Sequence, residues 1–486
     1  MKPKYLPKTE PYKHQEEALN ASWDRLFFAL FMEMGTGKTK IAIDTMAILF
    51  EEKQIDTVLI CAPKGVYDNW VQNEIPIHMP DRLDTFIVRW QPSLTETYKK
   101  TLRQLCYRKS REPRVLHILV MNIEAMSTNK GYLSALEYMK KNADNLMIID
   151  ESTTIKNRQA KRTKNVVKIA QFAKYKRILT GSPVTKSPMD LFSQCEFLDK
   201  SPMGFSSFYA FRGRYAVVHQ RTHAGRNFQE IVGYRRLEEL NKRLDCFSTR
   251  TLKKDCLDLP EKTYIRREVM LTDEQAKLYT QMKKLALAQL ENGEMATTQS
   301  VLTQLMRLQQ ITCGFLQPDN EPIQEVKNNR LNELLSVIEE TQGKIIIWAT
   351  WTYDIRKIKE VLAEEYGEDS VATYYGATLQ EKRQGIVKKF QDPESELRFF
   401  VGQPRTGGFG LTLTAAHTVI YYSNSYDLEI RLQSEDRAHR IGQSENVLYV
   451  DLVATKTVDE KILKALKDKI DISSQVLGEQ TREWLI

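Results

Sequence analysis

The chain has 486 residues, 42% of them hydrophobic, and carries 71 Lys+Arg against 63 Asp+Glu for a net charge of +8. This length makes room for about two to four compact units with packed cores, which excludes a disordered polymer. No apolar run approaches the ~18 residues that span a bilayer, and the basic, proline-containing start lacks the apolar stretch of a signal peptide, so an intracellular protein with no membrane partner is expected.

In chain order, the first strong pattern is the apolar run Leu26–Met32, the turn Met34-Gly-Thr-Gly-Lys-Thr39 and the apolar segment Ile41–Leu49. It reads as a buried strand, a glycine turn and a helix. A turn with Gly35 and Gly37 points backbone N–H groups at phosphates, Lys38 reaches the outer phosphates, and the Thr39 hydroxyl can ligate Mg²⁺. The full phosphate-loop pattern has another glycine six residues before the lysine, where this chain has Met32. By itself the turn also fits an ordinary helix cap, and its strand-to-helix context favours the phosphate reading.

Apolar runs at Thr57–Pro63, Val115–Met121, Leu146–Ile149 and Arg177–Thr180 alternate with helical patterns, the signature of a doubly wound α/β unit over residues 25–185. The run Asn145–Ile149 ends in Asp150 and Glu151, as when a central parallel strand delivers acids to its C-terminal edge. Asp150 is placed to hold Mg²⁺ through its waters, and Glu151 to orient and deprotonate an attacking water. An acidic pair after a strand also suits a plain helix N-terminus, and only the phosphate loop tips the balance.

From Ser152 to Met189 there is no acidic residue but there are ten basic ones, among them Lys156, Arg158, Lys161 and Arg162. Such a stretch attracts a phosphate backbone with salt-dependent affinity, unless it is a solvated face neutralised elsewhere. Phe205–Arg236 interleaves Phe208, Tyr209, Phe211 and Tyr215 with six arginines, including Arg212. Most of these aromatics suit the core of a small helical insertion, and the arginines suit backbone contact.

Residues 186–335 are expected to lack strands, apart from one at Thr263–Leu271, and to hold helices at Thr272–Glu291 and Thr298–Gln310. The α/β alternation resumes at Lys344–Ala349, Ser370–Tyr375, Arg398–Gly402, His417–Tyr422 and Asn446–Leu452, before a polar helix from Asp459 and a tail. Within this second α/β unit, Gln433, Arg437 and Arg440 fall at i, i+4 and i+7, which, if helical, puts one amide and two guanidiniums on a single face, although taken alone the spacing also fits an exposed amphipathic helix. Paired guanidiniums suit the developing charge of phosphoryl transfer, supplied across a cleft that closes on ATP. The six cysteines form no C-x-x-C pair, and the one H-x₃-H pair, His219 and His223, has no cysteine pair beside it, so neither zinc nor a disulfide framework is supported.

The order and wording of these motifs resemble the Swi/Snf-related family of superfamily-two helicase-like ATPases over about residues 10–465. Tyr12-Lys-His-Gln15 is similar to its adenine-reading motif, Glu33–Thr39 to its phosphate loop, and Cys61-Ala-Pro-Lys64 with Trp70 and Glu74 to its first DNA-contact motif. Asp150-Glu-Ser-Thr-Thr-Ile-Lys-Asn157 resembles its Asp-Glu-Ala-His box, and Leu179-Thr-Gly-Ser-Pro183 its coupling motif. Thr249–Lys254 with Leu259, Pro260 and Lys262 looks like its basic bridge, and Thr406–Ala416 and Gln433–Gln443 look like its last two motifs. One departure is Thr153, which stands where the family usually has histidine and which cannot carry charge; another is Ser182 for a more usual threonine.

The resemblance implies two tandem RecA-like doubly wound parallel-sheet lobes with helical insertions between them. It divides the chain into a first lobe (1–185), a helical and basic insertion and bridge (186–262), the start of the second lobe (263–335), the rest of that lobe with the arginine fingers (336–465) and a tail (466–486). It also implies an ATP- and Mg²⁺-dependent translocase on double-stranded DNA. Gln15, Gly35, Thr36, Gly37, Lys38, Thr39 and Gly408 would hold ATP, and Thr39 and Asp150 the metal. Lys38, Asp150, Glu151, Arg437 and Arg440 would carry catalysis, and Thr153, Thr180, Gly181, Ser182 and Gln433 coupling. Contacts to the DNA backbone fall to Lys64, Asn122, Lys156, Asn157, Thr406 and Gly407.

A strand-separating helicase and an ATP-gated binding or signalling module share the same nucleotide site, and DNA-stimulated turnover separates the second from a translocase. A small-molecule kinase would leave the second lobe without a purpose. The short flanks leave no room for a targeting domain, so a bare motor resembling bacterial or phage members, cytoplasmic and plausibly monomeric, is expected.

Overall fold

The computed structural model describes residues 5–477 apart from 65, 94, 107–113, 200, 202, 224–225, 292–297, 318–321 and 407–410. Two compact units emerge, the first mainly of residues up to Asp258 together with Ile472–Leu477, the second mainly of Leu259–Asp471.

The first unit is built on a seven-stranded sheet of β1 (Phe27–Met32), β2 (Thr57–Ala62), β3 (Thr85–Arg89), β4 (Leu116–Asn122), β5 (Asn145–Asp150), β6 (Tyr175–Thr180) and β9 (Ser248–Thr251), in the order β3-β4-β2-β5-β6-β1-β9. Every pairing in it is parallel. Its central strands are apolar runs without alternation because helices cover both faces. Successive side chains still part to opposite sides. Ala29, Phe31, Leu59, Cys61, Met147 and Ile149 enter one core, while Phe28, Leu30, Val58, Ile60, Leu146 and Ile148 enter the other.

The second unit repeats this plan with β10 (Lys262–Val269), β13 (Lys344–Trp348), β14 (Val371–Tyr374), β15 (Phe399–Gly402), β16 (Ala416–Tyr421) and β17 (Val447–Ala454), in the order β10-β17-β16-β13-β15-β14. Ile345 and Ile347 pack with Phe399 and Val401 on one face, and Ile346 and Trp348 with Phe400 on the other.

The expectation that residues 186–335 hold no strand besides 263–271 is corrected. A hairpin of β7 (Ala216–His223) and β8 (Arg226–Tyr234) lies there, as do a two-residue pair, β11 (Phe315–Leu316) with β12 (Gln324–Glu325), and β9. The sequence Ser-Thr-Arg-Thr of β9 has no apolar residue, and its four residues are only half-buried because it forms the sheet edge beside β1. Polar edge strands give no hydrophobic pattern to read.

Candidate active site

Because the first sheet is parallel, its strand ends converge on one edge, and register fixes which residues meet there. Phe31 pairs with Thr180, Asp150 with Leu179, and Ala62 with Asn122. The turn after β1, the acids after β5 and the segment Thr180–Ser182 after β6 are therefore neighbours.

The turn is a left-handed glycine loop, with Gly35 at φ 83° and Gly37 at φ 89°, the latter capping the helix Lys38–Glu51. A Cβ at Gly37 would lie 2.1 Å from Gln15 Nε2 and so displace that side chain, in addition to the backbone strain that its positive φ would impose on any other residue. Gln15 is buried and donates to Thr36 O at 3.1 Å, and His14 shares that carbonyl at 2.8 Å, so the residue expected to read adenine is seated on the loop itself. Lys38 is 7% exposed and folds back to Glu33 O at 3.3 Å, while Thr39 is half-buried in the first helical turn.

Asp150 ends β5 almost fully buried. Its Oδ2 accepts from the indole N–H of Trp70 at 2.9 Å, and its Oδ1 from Glu151 N at 3.0 Å. Burial pushes this carboxyl above the ordinary carboxylate range, against the Trp70 bond, the Lys38 charge and the Glu151 N–H, which pull the other way. Trp70 opens a turn of π-helix, Trp70–Glu74, a form in which one extra residue per turn reorients a side chain. Glu151 has a left-handed backbone, φ 47°, the uncommon geometry that turns its side chain out of the strand line.

The Thr180 hydroxyl lies 3.4 Å from Glu151 Oε2 and accepts from Ser182 N at 3.2 Å. A Cβ on Gly181 would crowd Met34 N at 3.2 Å, so this glycine lets the coupling segment rest against the phosphate loop. Thr153 is 2% exposed in the one-turn helix Ser152–Ile155. Beside it the Ser152 hydroxyl donates to Gln194 Oε1 at 2.7 Å, and Gln194 Nε2 donates to Pro183 O at 2.8 Å. Gln194, 0% exposed, thus ties the acidic box to the coupling segment.

Arg250 on β9 donates to Phe31 O at 3.1 Å and Gly181 O at 2.9 Å, and Lys253 N donates to Glu33 Oε2 at 2.7 Å. The basic bridge therefore braces the loop from behind. Trp70, Gln194 and Arg250 are the residues whose roles sequence reasoning did not find: Trp70 and Arg250 lay within recognised motifs without a role at this site, and nothing in the local pattern around Gln194 signals a contact 42 residues away.

Among the residues expected to face DNA, Lys64 and Asn157 are exposed, Asn122 is half-buried at the end of β4, and Lys156 donates to Thr185 Oγ1 at 2.7 Å. In the second unit Thr406 lies beyond β15, bonded to Gln403 at 3.3 Å, while Gly407 and Gly408 lie outside the described residues. One expectation needs correction. The helix Leu428–Glu435 includes Gln433 but stops before Arg437 and Arg440, so the three side chains do not form a helix face. After Glu435 the chain turns, and Arg437 and Arg440 converge instead on one acceptor, Leu411 O, at 3.3 and 3.2 Å.

The Asp150 carboxylate and the Thr39 hydroxyl, expected to hold the metal, are oxygen donors of the kind Mg²⁺ takes.

The family "SNF2-related domain" matches residues 15–315, and "Helicase conserved C-terminal domain" matches 326–442. The Schizosaccharomyces pombe protein "Chromatin structure-remodeling complex subunit snf21" is 28% identical over 471 residues, covering 92% of this chain and 37% of that protein. The Bacillus subtilis "Putative ATP-dependent helicase/translocase YwqA" is 27% identical over 466 residues, 93% of this chain and 46% of that one. This chain thus spans less than half the length of either relative. A solved structure, "Sulfolobus solfataricus SWI2/SNF2 ATPase core in complex with dsDNA", aligns at 24% identity over 98% of this chain and 96% of its own, with a TM-score of 0.42.

Proposed function

Because this chain belongs to the SNF2-related family, we propose that it is an ATP-hydrolysing translocase on double-stranded DNA. The observation that carries the reading is the hydrogen-bonded cluster at one sheet edge, where phosphate loop, acidic pair and coupling segment touch. Lys38 draws charge from the outer phosphates, and Gln15 orients the nucleotide against the loop it contacts. Glu151, held beside Thr180, aligns the attacking water and takes its proton. Mg²⁺, when held by Asp150 and Thr39, would neutralise phosphate charge. Arg437 and Arg440 are proposed to stabilise charge on the transferring phosphate, for which arginines elsewhere contribute on the order of 10³ to 10⁵ in rate.

On the nucleic-acid side, Lys64 follows β2, Asn122 ends β4, and Lys156 and Asn157 follow β5, in the same parallel sheet whose strand ends carry the acids and the coupling segment. A backbone contact there is transmitted through Gln194 and Thr180 without a charged residue at position 153. The name of the Bacillus relative, a helicase/translocase, accords with this reading.

The test is ATP turnover with duplex DNA, single-stranded DNA, RNA and no nucleic acid, together with triplex displacement and strand-separation assays. The expected result is many-fold stimulation by duplex DNA and triplex displacement without strand separation. Turnover indifferent to DNA would leave an ATP-gated binding module, and stimulation by RNA alone would overturn the choice of substrate.

A further inference from the structure

A cavity of about 400 Å³ opens beside Lys156, lined also by Arg158, Asp190, Phe208, Tyr209 and Arg212. Two of its cations are held by rings rather than by carboxylates. The Arg158 guanidinium lies 4.4 Å from the Phe208 ring centre and 5.4 Å from that of Tyr209, and Arg212 lies 5.4 Å from Tyr209. Among the described residues Arg158 makes no hydrogen bond or ion pair, and the Arg212 fork meets only the neutral Gln229 amide oxygen. The one acid in the cavity is already engaged: Asp190 Oδ2 accepts from the backbone N–H groups of Thr185, Lys186 and Ser187 and from the Thr185 hydroxyl. Tyr209 itself is 64% exposed, although Phe211 and Tyr215, its neighbours on the helix Phe208–Tyr215, are buried.

A guanidinium seated on an aromatic face loses little further freedom when its planar fork meets an anion, and it keeps its full charge. Two such groups in one concave, net-positive surface next to Lys156 and Asn157 suit repeated phosphates better than a single small anion. We propose that Arg158 and Arg212, seated on Phe208 and Tyr209, form an additional contact for the phosphodiester backbone of duplex DNA, beyond the residues assigned from the family motifs. This rests on the translocase reading and extends the DNA track from the acidic box onto the insertion.

The experiment is duplex binding across a salt series, with the protein, Arg158→Ala/Arg212→Ala and the milder Arg158→Gln compared, and with circular dichroism and melting to confirm folding. Removing one arginine–phosphate pairing should make the plot of log affinity against log salt shallower by about 0.9, so the slope should fall by about 1.8 in the double variant and by about 0.9 in the single one. Affinity and slope equal to the parent in either folded variant would overturn the assignment while leaving the translocase reading standing. A parent protein with no salt-dependent duplex binding would overturn both.

Discussion

Glu151 and Lys38 make the same demand in different ways: each must present one charged group at a point fixed to a fraction of an ångström. Lys38→Ala and Glu151→Gln are expected to bring ATP turnover to background while leaving duplex binding nearly intact, checked by steady-state hydrolysis and filter binding. Arg440→Ala should lower the turnover number far more than the apparent ATP affinity, because a charge felt mainly in the transition state changes kcat. An unchanged turnover number with a raised KM would reduce Arg440 to a nucleotide anchor. The spacing of Gln433, Arg437 and Arg440 suggested a single helix face, a geometry the protein does not use. The arginines meet because a turn after Glu435 aims both at Leu411 O, and nothing in the intervals separates that turn from a continuing helix.

Between elements, long-range side chains join what the strands only bring close. Gln194→Met keeps the volume but loses both bonds that join Ser152 to Pro183, and should cut DNA stimulation of hydrolysis several-fold while hydrolysis without DNA changes little. Equal loss with and without DNA would make Gln194 a packing residue instead. In the second unit, Asp354 at the start of the helix Thr352–Tyr366 is 1% exposed, and burial, partly opposed by Arg330, pushes its carboxyl up to about 8 from 3.8. The folded state then holds a proton that the unfolded chain has released. This contribution is complete below pH 3.8 and is lost as pH rises through about 8. Asp354→Asn should therefore raise the melting temperature by an amount that grows from pH 5 to pH 9. The central strands were legible because a parallel sheet covered on both faces demands unbroken apolar runs. Polar β9, the hairpin and Gln194 were not, since their places depend on partners far along the chain.

For the whole molecule, each unit has an apolar sheet core, and some of its buried charges are gathered in hydrogen-bonded networks. In the second, Glu435 is 0% exposed, and Tyr264, Lys262 and Arg431 meet it at 2.8, 3.1 and 2.9 Å. Burial alone would raise this carboxyl, yet Lys262 and Arg431 hold it at about 2 rather than 4.5. Its contribution is full above pH 4.5 and is lost as pH falls toward 2, so acid should melt the second unit, and a Glu435→Gln variant should show a flatter stability profile between pH 5 and 3. Calorimetry across that range checks it, and parallel profiles would remove Glu435 from the account.

The π-helical turn at Trp70 also sets a rule for insertions and deletions. Removing one residue from Val71–Glu74 would let the segment relax to an ordinary α-helix and swing the indole by roughly 100° about the axis, away from Asp150. Relatives that keep a tryptophan here should therefore also keep the length of the segment after it, so that at this turn chain length, more than residue identity, carries the constraint.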